Sequence, residues 1–524
     1  MPKHKSYYWL AAFAAAILFD FLFWKKPLGI SYMIWTAALL VFGYLLAWWE
    51  GKKPAFASML VSLLALGFSF VPAWRLEPMT RFVSMALTLG GLLLLSATFT
   101  NGNWPFYRLW DYFKNLFLAF GGGVSRAIML GSKPATPPDL PDAPLPKAKR
   151  GRHGWAVVRG LLIALPLVAV LALILSYADP IFGDWLSEAF NLKRLPEYLF
   201  RAFYIVMIGC FLVGIYLHAI LPTKDQERPD PNQPWMKPFL GSTEAGIVLG
   251  AVNLLFLAFV FIQFRYFFGG AVNINETGYT YAEYARKGFG ELVFVAVLSL
   301  GIYLVLNTVS KRELKSSKVI FSILSVLLMA NVMVMLYSSL QRLLLYEEAY
   351  GFSQLRTYTH VFIFWLAGLI VITTLLEILR RRGHFALALL VTILGFSATL
   401  AILNVDGFVA QKNISRALAG EELDVPHLVS LKDDAIPVMM ESFLDPATPS
   451  KVKDDLGYSI ACYQVLADTR EELSWQSFTL SQSRAQALLK ENQAALSKYD
   501  VVSGGGWHYT KNGVTYYCLN SYLD

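Results

Sequence analysis

Residues able to do acid–base or ionic chemistry gather in two stretches. NETGYTYAEYARKGFGELVF carries Glu283, Tyr284, Arg286 and Glu291, and RLLLYEEAYGFSQLRTYTH carries Glu347, Glu348, Arg356 and His360. Arg265, in FIQFRYFFGG, belongs with them if it lies at the depth of Glu291, because burying either charge alone in a membrane is expensive. Paired carboxylates of this kind can serve as general acid and base. Acids and arginines mixed with tyrosines suit a binding surface equally well, and an aromatic belt with snorkelling cations accounts for part of the pattern. The remaining chemistry is sparse. There is no G-x-x-x-x-G-K-[ST] loop, no H-E-x-x-H pair and no G-x-S-x-G elbow, which argues against ATP hydrolysis and zinc proteolysis. The seven histidines are scattered without metal-ligand spacing, so neither metal nor cofactor is expected. His218, in IYLHAIL, is expected to be a packed, hydrogen-bonded residue of a span. Asp20, in ILFDFLFW, is expected near the interface beside Lys25 and Lys26. Gly246 and Gly250 form a G-x-x-x-G that predicts close helix packing.

These residues need elements that place them at one surface, and composition says what the elements are. Of 524 residues, 56% are hydrophobic and only 16% charged, too apolar a balance for a water-soluble fold. The apolar residues fall in about eleven runs of roughly 18 to 25 residues, each long enough for a helix to cross about 30 Å of hydrocarbon. They centre near Phe13, Leu40, Leu64, Leu92, Val168, Gly209, Phe256, Leu298, Leu328, Leu369 and Val391. None alternates as a membrane barrel would. The expected fold is therefore an α-helical polytopic membrane protein with a small, mainly helical C-terminal extracytoplasmic domain ending in a β-hairpin.

Orientation follows from the cations. Placing the N-terminus inside puts EGKK, KPATPPDLPDAPLPKAKRGRHG, SKRELKSSK and RRRGH in the cytoplasm, as the retention of Lys and Arg on that side requires. Eleven crossings then carry everything after Asn404 outside. MPKHKS followed by AAFAAAILFDFLFWKK is read as a first span rather than a signal peptide, since no small-residue cleavage site follows it. The net charge of +8 is topogenic and spread over separate loops, so no nucleic acid partner is expected. Cys462 and Cys518 both fall in the outer terminal segment, where they could pair or remain two free thiols.

The chain divides into residues 1–100, a four-helix membrane region; 101–154, an interfacial helix in NWPFYRLWDYFKNLFLAF followed by a Pro-rich basic linker from Lys133 to His153; 155–405, a seven-helix membrane core; and 406–524, the terminal domain. Thr280 and Glu283 form a capping box that starts the eighth helix at Tyr281. DGFVAQKNISRALAG and SQSRAQALLKENQAALSKY read as amphipathic helices, and Asn512–Gly513 between aromatic runs reads as a hairpin turn.

YFFGGAVNINETGYTYAEYARKGFGELV, LYEEAYGFSQLRTYT and NVDGFVAQKNISRALAGEELDVPHLVSLKDDAIP, with SYADPIF, resemble in that order the blocks of bacterial polytopic membrane proteins of the domain of unknown function numbered 4173, related to 4153. The resemblance spans about Trp155 to Pro437 and implies no activity. The sequence points first to an envelope-facing binding, signalling or accessory module in the cell membrane. Its partners would be the bilayer and a membrane or envelope protein, and it is more readily read as a non-enzyme. A transporter of a small or lipid-like substrate, or an enzyme acting on an envelope or lipid-linked substrate through Glu283, Glu291, Glu347 or Glu348, is the alternative.

Overall fold

The computed structural model describes residues 2–131, 195–221, 236–268, 289–468, 474–503, 506–511 and 513–518, with scattered positions between 164 and 182 and between 228 and 233. Among the described residues eleven long helices come first: α1 (Lys5–Phe23), α2 (Ile30–Trp49), α3 (Phe56–Trp74), α4 (Pro78–Thr98), α5 (Leu109–Gly131), α6 (Leu195–Ile220), α7 (Ser242–Phe268), α8 (Phe289–Val309), α9 (Lys315–Tyr350), α10 (Gln354–Ile378) and α11 (Phe385–Leu403). Ten of them, all but α5, are long and apolar enough to cross a membrane, and the protein is a multi-pass membrane protein. Six shorter helices follow: α12 (Val405–Leu418), α13 (Val425–Ser430), α14 (Ile436–Leu444), α15 (Ser450–Asp468), α16 (Leu480–Glu491) and α17 (Gln493–Leu496). The chain closes on an antiparallel sheet of β1 (Val502–Ser503), β2 (Trp507–Lys511) and β3 (Val514–Tyr517) in the order β1-β2-β3. Lys511 pairs with Val514 across the Gly513 turn, the hairpin the sequence predicts.

Among the described residues two large apolar cores hold most of the spans, and a smaller one of Phe68, Val71 and Ala401 joins α3 to α11. Tyr8, Trp35, Leu46, Tyr216 and Leu217 bind α1–α6 together, and Leu249, Tyr303, Leu328, Leu336 and Ile370 bind α7–α10. The terminal helices bury Val409, Ile414, Met439, Leu456 and Ile460 in a third large core that also takes in Val361 of α10 and Leu400 of α11. The terminal domain is thus fused to the membrane helices by continuous apolar packing.

That domain covers one end of the bundle, called here the near end. Ser477 Oγ donates to Pro27 O (2.8 Å) after α1, the Ile30 N–H donates to Phe478 O (3.0 Å), and Ser481 Oγ donates to Trp74 O (2.6 Å) at the end of α3. The N-terminus lies at the far end, where the Lys3 N–H donates to Glu50 (2.9 Å) after α2. The chain leaves α4 at the far end and enters α6 at the near end, where Glu197 accepts from Trp24 Nε1 (2.6 Å) and Lys25 Nζ (2.8 Å). The run centred on Val168, expected to make that change of side, falls outside the described residues except for scattered positions, as do the Lys133–His153 linker and the Thr280–Glu283 capping box.

Several local expectations need correction. Asp20 lies in the last turn of α1, near enough for the Lys26 charge to act on it, but its direct partners are on α6. It is buried against α6, where the Arg201 guanidinium donates to both its oxygens (Nε at 2.8 Å) and Tyr204 adds its hydroxyl. Lys26 instead reaches Phe21 O (2.8 Å). A charge placed by sequence at the interface finds its partner 181 residues away, a pairing no local pattern encodes. Helix α5 does not rest on an interface alone; it packs against α6, where a side chain at Gly214 would collide with the Gly123 backbone. His218 is packed at that contact, beside Gly122, but its buried Nδ1 has no hydrogen-bond partner among the described residues. Gly246 and Gly250 have open space where a Cβ would point, so their spacing does not mark a close contact among the described residues.

Candidate functional site

The loop expected between the ninth and tenth spans is almost all helix. Its apolar and acidic residues continue α9 to Tyr350, and α10 restarts at Gln354, leaving three residues to turn the chain. Gly351 makes the turn possible. It sits at φ 77° and ψ −175°, a conformation reserved for glycine, and a Cβ there would lie 2.6 Å from Arg416 Nη1 and 2.7 Å from Asn413 Oδ1. Those two α12 side chains clasp the turn. Asn413 accepts from the Phe352 N–H and donates to Phe352 O, both at 2.9 Å, and Arg416 Nη2 donates to Glu348 O at 2.8 Å. His427 Nε2 stands 3.2 Å from Phe352 O.

Within this clasp the structure brings together part of the sequence-predicted set. Glu347, 2% exposed, has Oε2 at 2.8 Å from His360 Nε2, while its other oxygen is buried with no hydrogen-bond partner among the described residues. The Arg356 guanidinium lies 4.0 Å from the Tyr346 ring centroid and donates to Tyr350 O (3.2 Å) and Gly351 O. The Glu348 side chain is exposed, as is Glu291 in the first turn of α8. Ser338 Oγ donates to Gln263 Oε1 of α7 (3.0 Å) and Ser339 Oγ to Phe289 O (2.8 Å), so the end of α7 and the start of α8 stand beside this part of α9. Arg265 belongs to α7, but its side chain is outside the described set, and Glu283, Tyr284 and Arg286 lie outside the described residues. The proposed Arg265–Glu291 pair therefore has no described geometry.

Beside the clasp runs a buried acidic network that sequence reasoning missed. Glu77 caps α4, accepting the N–H groups of Met79 and Thr80 (2.7 Å each) and the Thr80 hydroxyl, and it takes a further hydrogen bond from Tyr358 of α10. Asp434 accepts from the Leu76 N–H (2.7 Å), Arg75 Nη1 (3.1 Å) and the Ser481 hydroxyl. Asp406, fully buried, accepts from the Gln354 side chain and the Lys432 N–H (3.1 Å). Asn404, left-handed at φ 54°, caps α12 and donates to Asp434 O (3.1 Å), while Arg75 Nε donates to Ala401 O (2.8 Å). Asp434 and Asp406 thus tie the terminal domain to the end of α3 and the start of α10, and Glu77 ties the start of α4 to α10. Burial pushes the Asp406 carboxyl up to about 6; its two hydrogen bonds oppose the rise, and the charges of Asp434 and Glu77 add to it. The arrangement can hold the domain rigidly and can take up a proton near neutral pH. Local signals existed in LEPMT, where Glu precedes a helix-starting proline, and in NVDGF and LKDDAIP, but each acid alone reads as a loop residue.

Among the described residues no cluster of His, Cys, Asp and Glu could hold a metal. Cys462 of α15 and Cys518 after β3 are disulfide-bonded, with Cα atoms 5.5 Å apart, anchoring the terminal sheet to the helical domain.

Fold and site define a polytopic helical membrane protein whose terminal domain is locked onto its span ends. The chain belongs to the family described as domain of unknown function (DUF4153), which matches residues 55–442. That match is to 4153 and not to the group numbered 4173, and it begins well before Trp155, taking in α3 and α4 together with Glu77, Asp406 and Asp434. No curated protein and no solved structure matches the chain.

Proposed function

We propose that the protein is a binding and signalling module of the cell envelope, with its N-terminus cytoplasmic and its terminal domain outside. A ligand or protein partner is recognised at the near end, around Glu347, His360, Arg356 and Tyr346. The observation that carries this reading is the buried Glu347 carboxylate. One oxygen meets His360, the other accepts no hydrogen bond among the described residues, and the turn that follows is held by four side-chain contacts from the terminal domain. A partner that engages this carboxylate shifts the α9–α10 turn, and the clasp passes the shift to α12. The bulk of a buried carboxylate can be kept without its charge, so Glu347→Gln separates packing from recognition. In a deletion strain with a measurable envelope phenotype, Glu347→Gln and His360→Gln are expected to express and melt within a few degrees of the parent yet fail to complement. Full complementation by both stable variants would remove the site assignment.

A further inference from the structure

The far end, opposite the clasp, contains a cavity of about 760 Å³ whose walls come from the start of α5, the segment before α7, the ends of α8 and α10, and the starts of α9 and α11. Five cations line it, Arg108, Arg312, Lys318, Arg380 and Arg382, and no carboxylate does among the described residues. Two of the five are already engaged. Arg108 pairs with Asp111 (Nε to Oδ2, 2.8 Å), and Arg382 pairs with the buried Glu377, whose other oxygen accepts from the Tyr303 hydroxyl (2.8 Å).

The remaining three have no carboxylate partner among the described residues. Arg312 donates through Nη2 to Asn307 Oδ1 (2.9 Å) and lies 4.3 Å from the Phe321 ring centroid, and its Nη1 is buried without a partner. Arg382 approaches the same ring at 5.8 Å, and its Nε is also buried without a partner. Burial first, then the neighbouring Arg382 charge, pushes the Arg312 guanidinium down to about 10, with the Glu377 charge opposing the fall. Arg380 holds the left-handed conformation, φ 57°, at the end of α10, a place glycine ordinarily takes. Retention of cations on the cytoplasmic side explains their presence at this end, but topogenic side chains snorkel into water rather than sealing guanidinium nitrogens beneath a cavity.

We propose that this cavity binds a phosphate-bearing anion, with Arg312 and Arg382 at its floor and Lys318 and Arg380 at its rim. Guanidinium groups match phosphate oxygens in geometry, and an anion would offset the positive charge that the lining gathers without a carboxylate of its own among the described residues. The exposed Leu109, Trp110 and Phe113 at the cavity edge extend the site with an apolar strip. A lipid headgroup and a soluble phosphate compound share this chemistry.

The test uses full-length protein in phosphatidylcholine nanodiscs, with pyrophosphate titrated by calorimetry, and native mass spectrometry of retained lipid after reconstitution with phosphatidylglycerol. Two variants serve as probes. Lys318→Gln removes a rim charge, and Arg380→Gly removes a rim charge while relieving the left-handed backbone. The proposal predicts that the parent binds at least one probe and that the double variant binds it about ten- to a hundredfold more weakly, the worth of one or two charge-assisted hydrogen bonds. Its melting temperature without ligand should be unchanged or raised. Pyrophosphate binding assigns a soluble phosphate, and retention of phosphatidylglycerol alone assigns a headgroup. Failure of the parent to bind either probe, or equal binding by parent and variant, overturns the proposal and leaves the cations a purely topogenic role.

Discussion

Asp406 gives the junction between terminal domain and spans a pH dependence whose sign can be worked out. Its carboxyl titrates near 6 in the folded protein against 3.8 in the unfolded chain, so the folded state binds the proton more tightly. Stability from this group is fully present below about pH 4 and is lost as pH rises through about 6. The whole effect is roughly 3 kcal/mol, of which roughly 1.3 kcal/mol falls between pH 7 and pH 5. Asp406→Asn removes the titration while keeping the volume, though its amide can accept only one of the two hydrogen bonds that Gln354 and Lys432 donate. The informative quantity is therefore the pH slope and not the absolute stability. In detergent-solubilised protein followed by tryptophan fluorescence, the parent is expected to gain about 1 °C in melting temperature relative to the variant on going from pH 7 to pH 5. Equal slopes for parent and variant, or a parent that loses stability relative to the variant on acidification, would refute the argument that burial raises this carboxyl.

Two further substitutions test the same junction by other means. Asp434→Ala strands Arg75, the Leu76 N–H and Ser481 in a buried site and is expected to cost about 3–5 kcal/mol, seen as faster proteolytic release of the terminal domain from purified protein. Gly351→Ala puts a methyl group against Arg416 and Asn413 in a backbone region that only glycine occupies readily, and it should cost about 2–4 kcal/mol and speed hydrogen exchange in α12; unchanged exchange would mean that the clasp is not held by this turn.

What the sequence disclosed and what it hid follow from the range of the interactions involved. Span positions are written in runs of apolar residues, and the β2–β3 hairpin in Asn512–Gly513 between aromatic residues, so both are legible locally. The extent of α9 was misjudged because its charged end resembles a loop; the real stop signal is Gly351. Glu347 and His360 were singled out for their types and spacing, and they do meet across the α9–α10 turn. Glu77, Asp406 and Asp434 were not, because their partners lie on other elements: Tyr358 is 281 residues from Glu77, and Arg75 is 359 from Asp434. The same holds for Asp20 and Arg201. Single-sequence periodicity reports which face of a helix is apolar, and it carries no information about which distant charge will neutralise a buried one. The cavity at the far end was hidden for a related reason, since its cations come from three separated segments: Arg108 in the interfacial helix, and SKRELKSSK and RRRGH, which the loop assignment read only as markers of orientation.

The claim on which the envelope-facing account rests is that the near end, with the clasp and the terminal domain, lies outside the cytoplasm. It is tested most directly by labelling intact cells with a membrane-impermeant maleimide, using single cysteines introduced at the exposed Glu491 in α16 and the exposed Lys53 in the far-end connection between α2 and α3, in a Cys210→Ser background that leaves the Cys462–Cys518 disulfide in place. The account predicts rapid labelling of Glu491→Cys in intact cells and labelling of Lys53→Cys only after the membrane is broken. Labelling of Lys53→Cys in intact cells, with Glu491→Cys protected until lysis, would place the Glu347–His360 site in the cytoplasm and contradict the account.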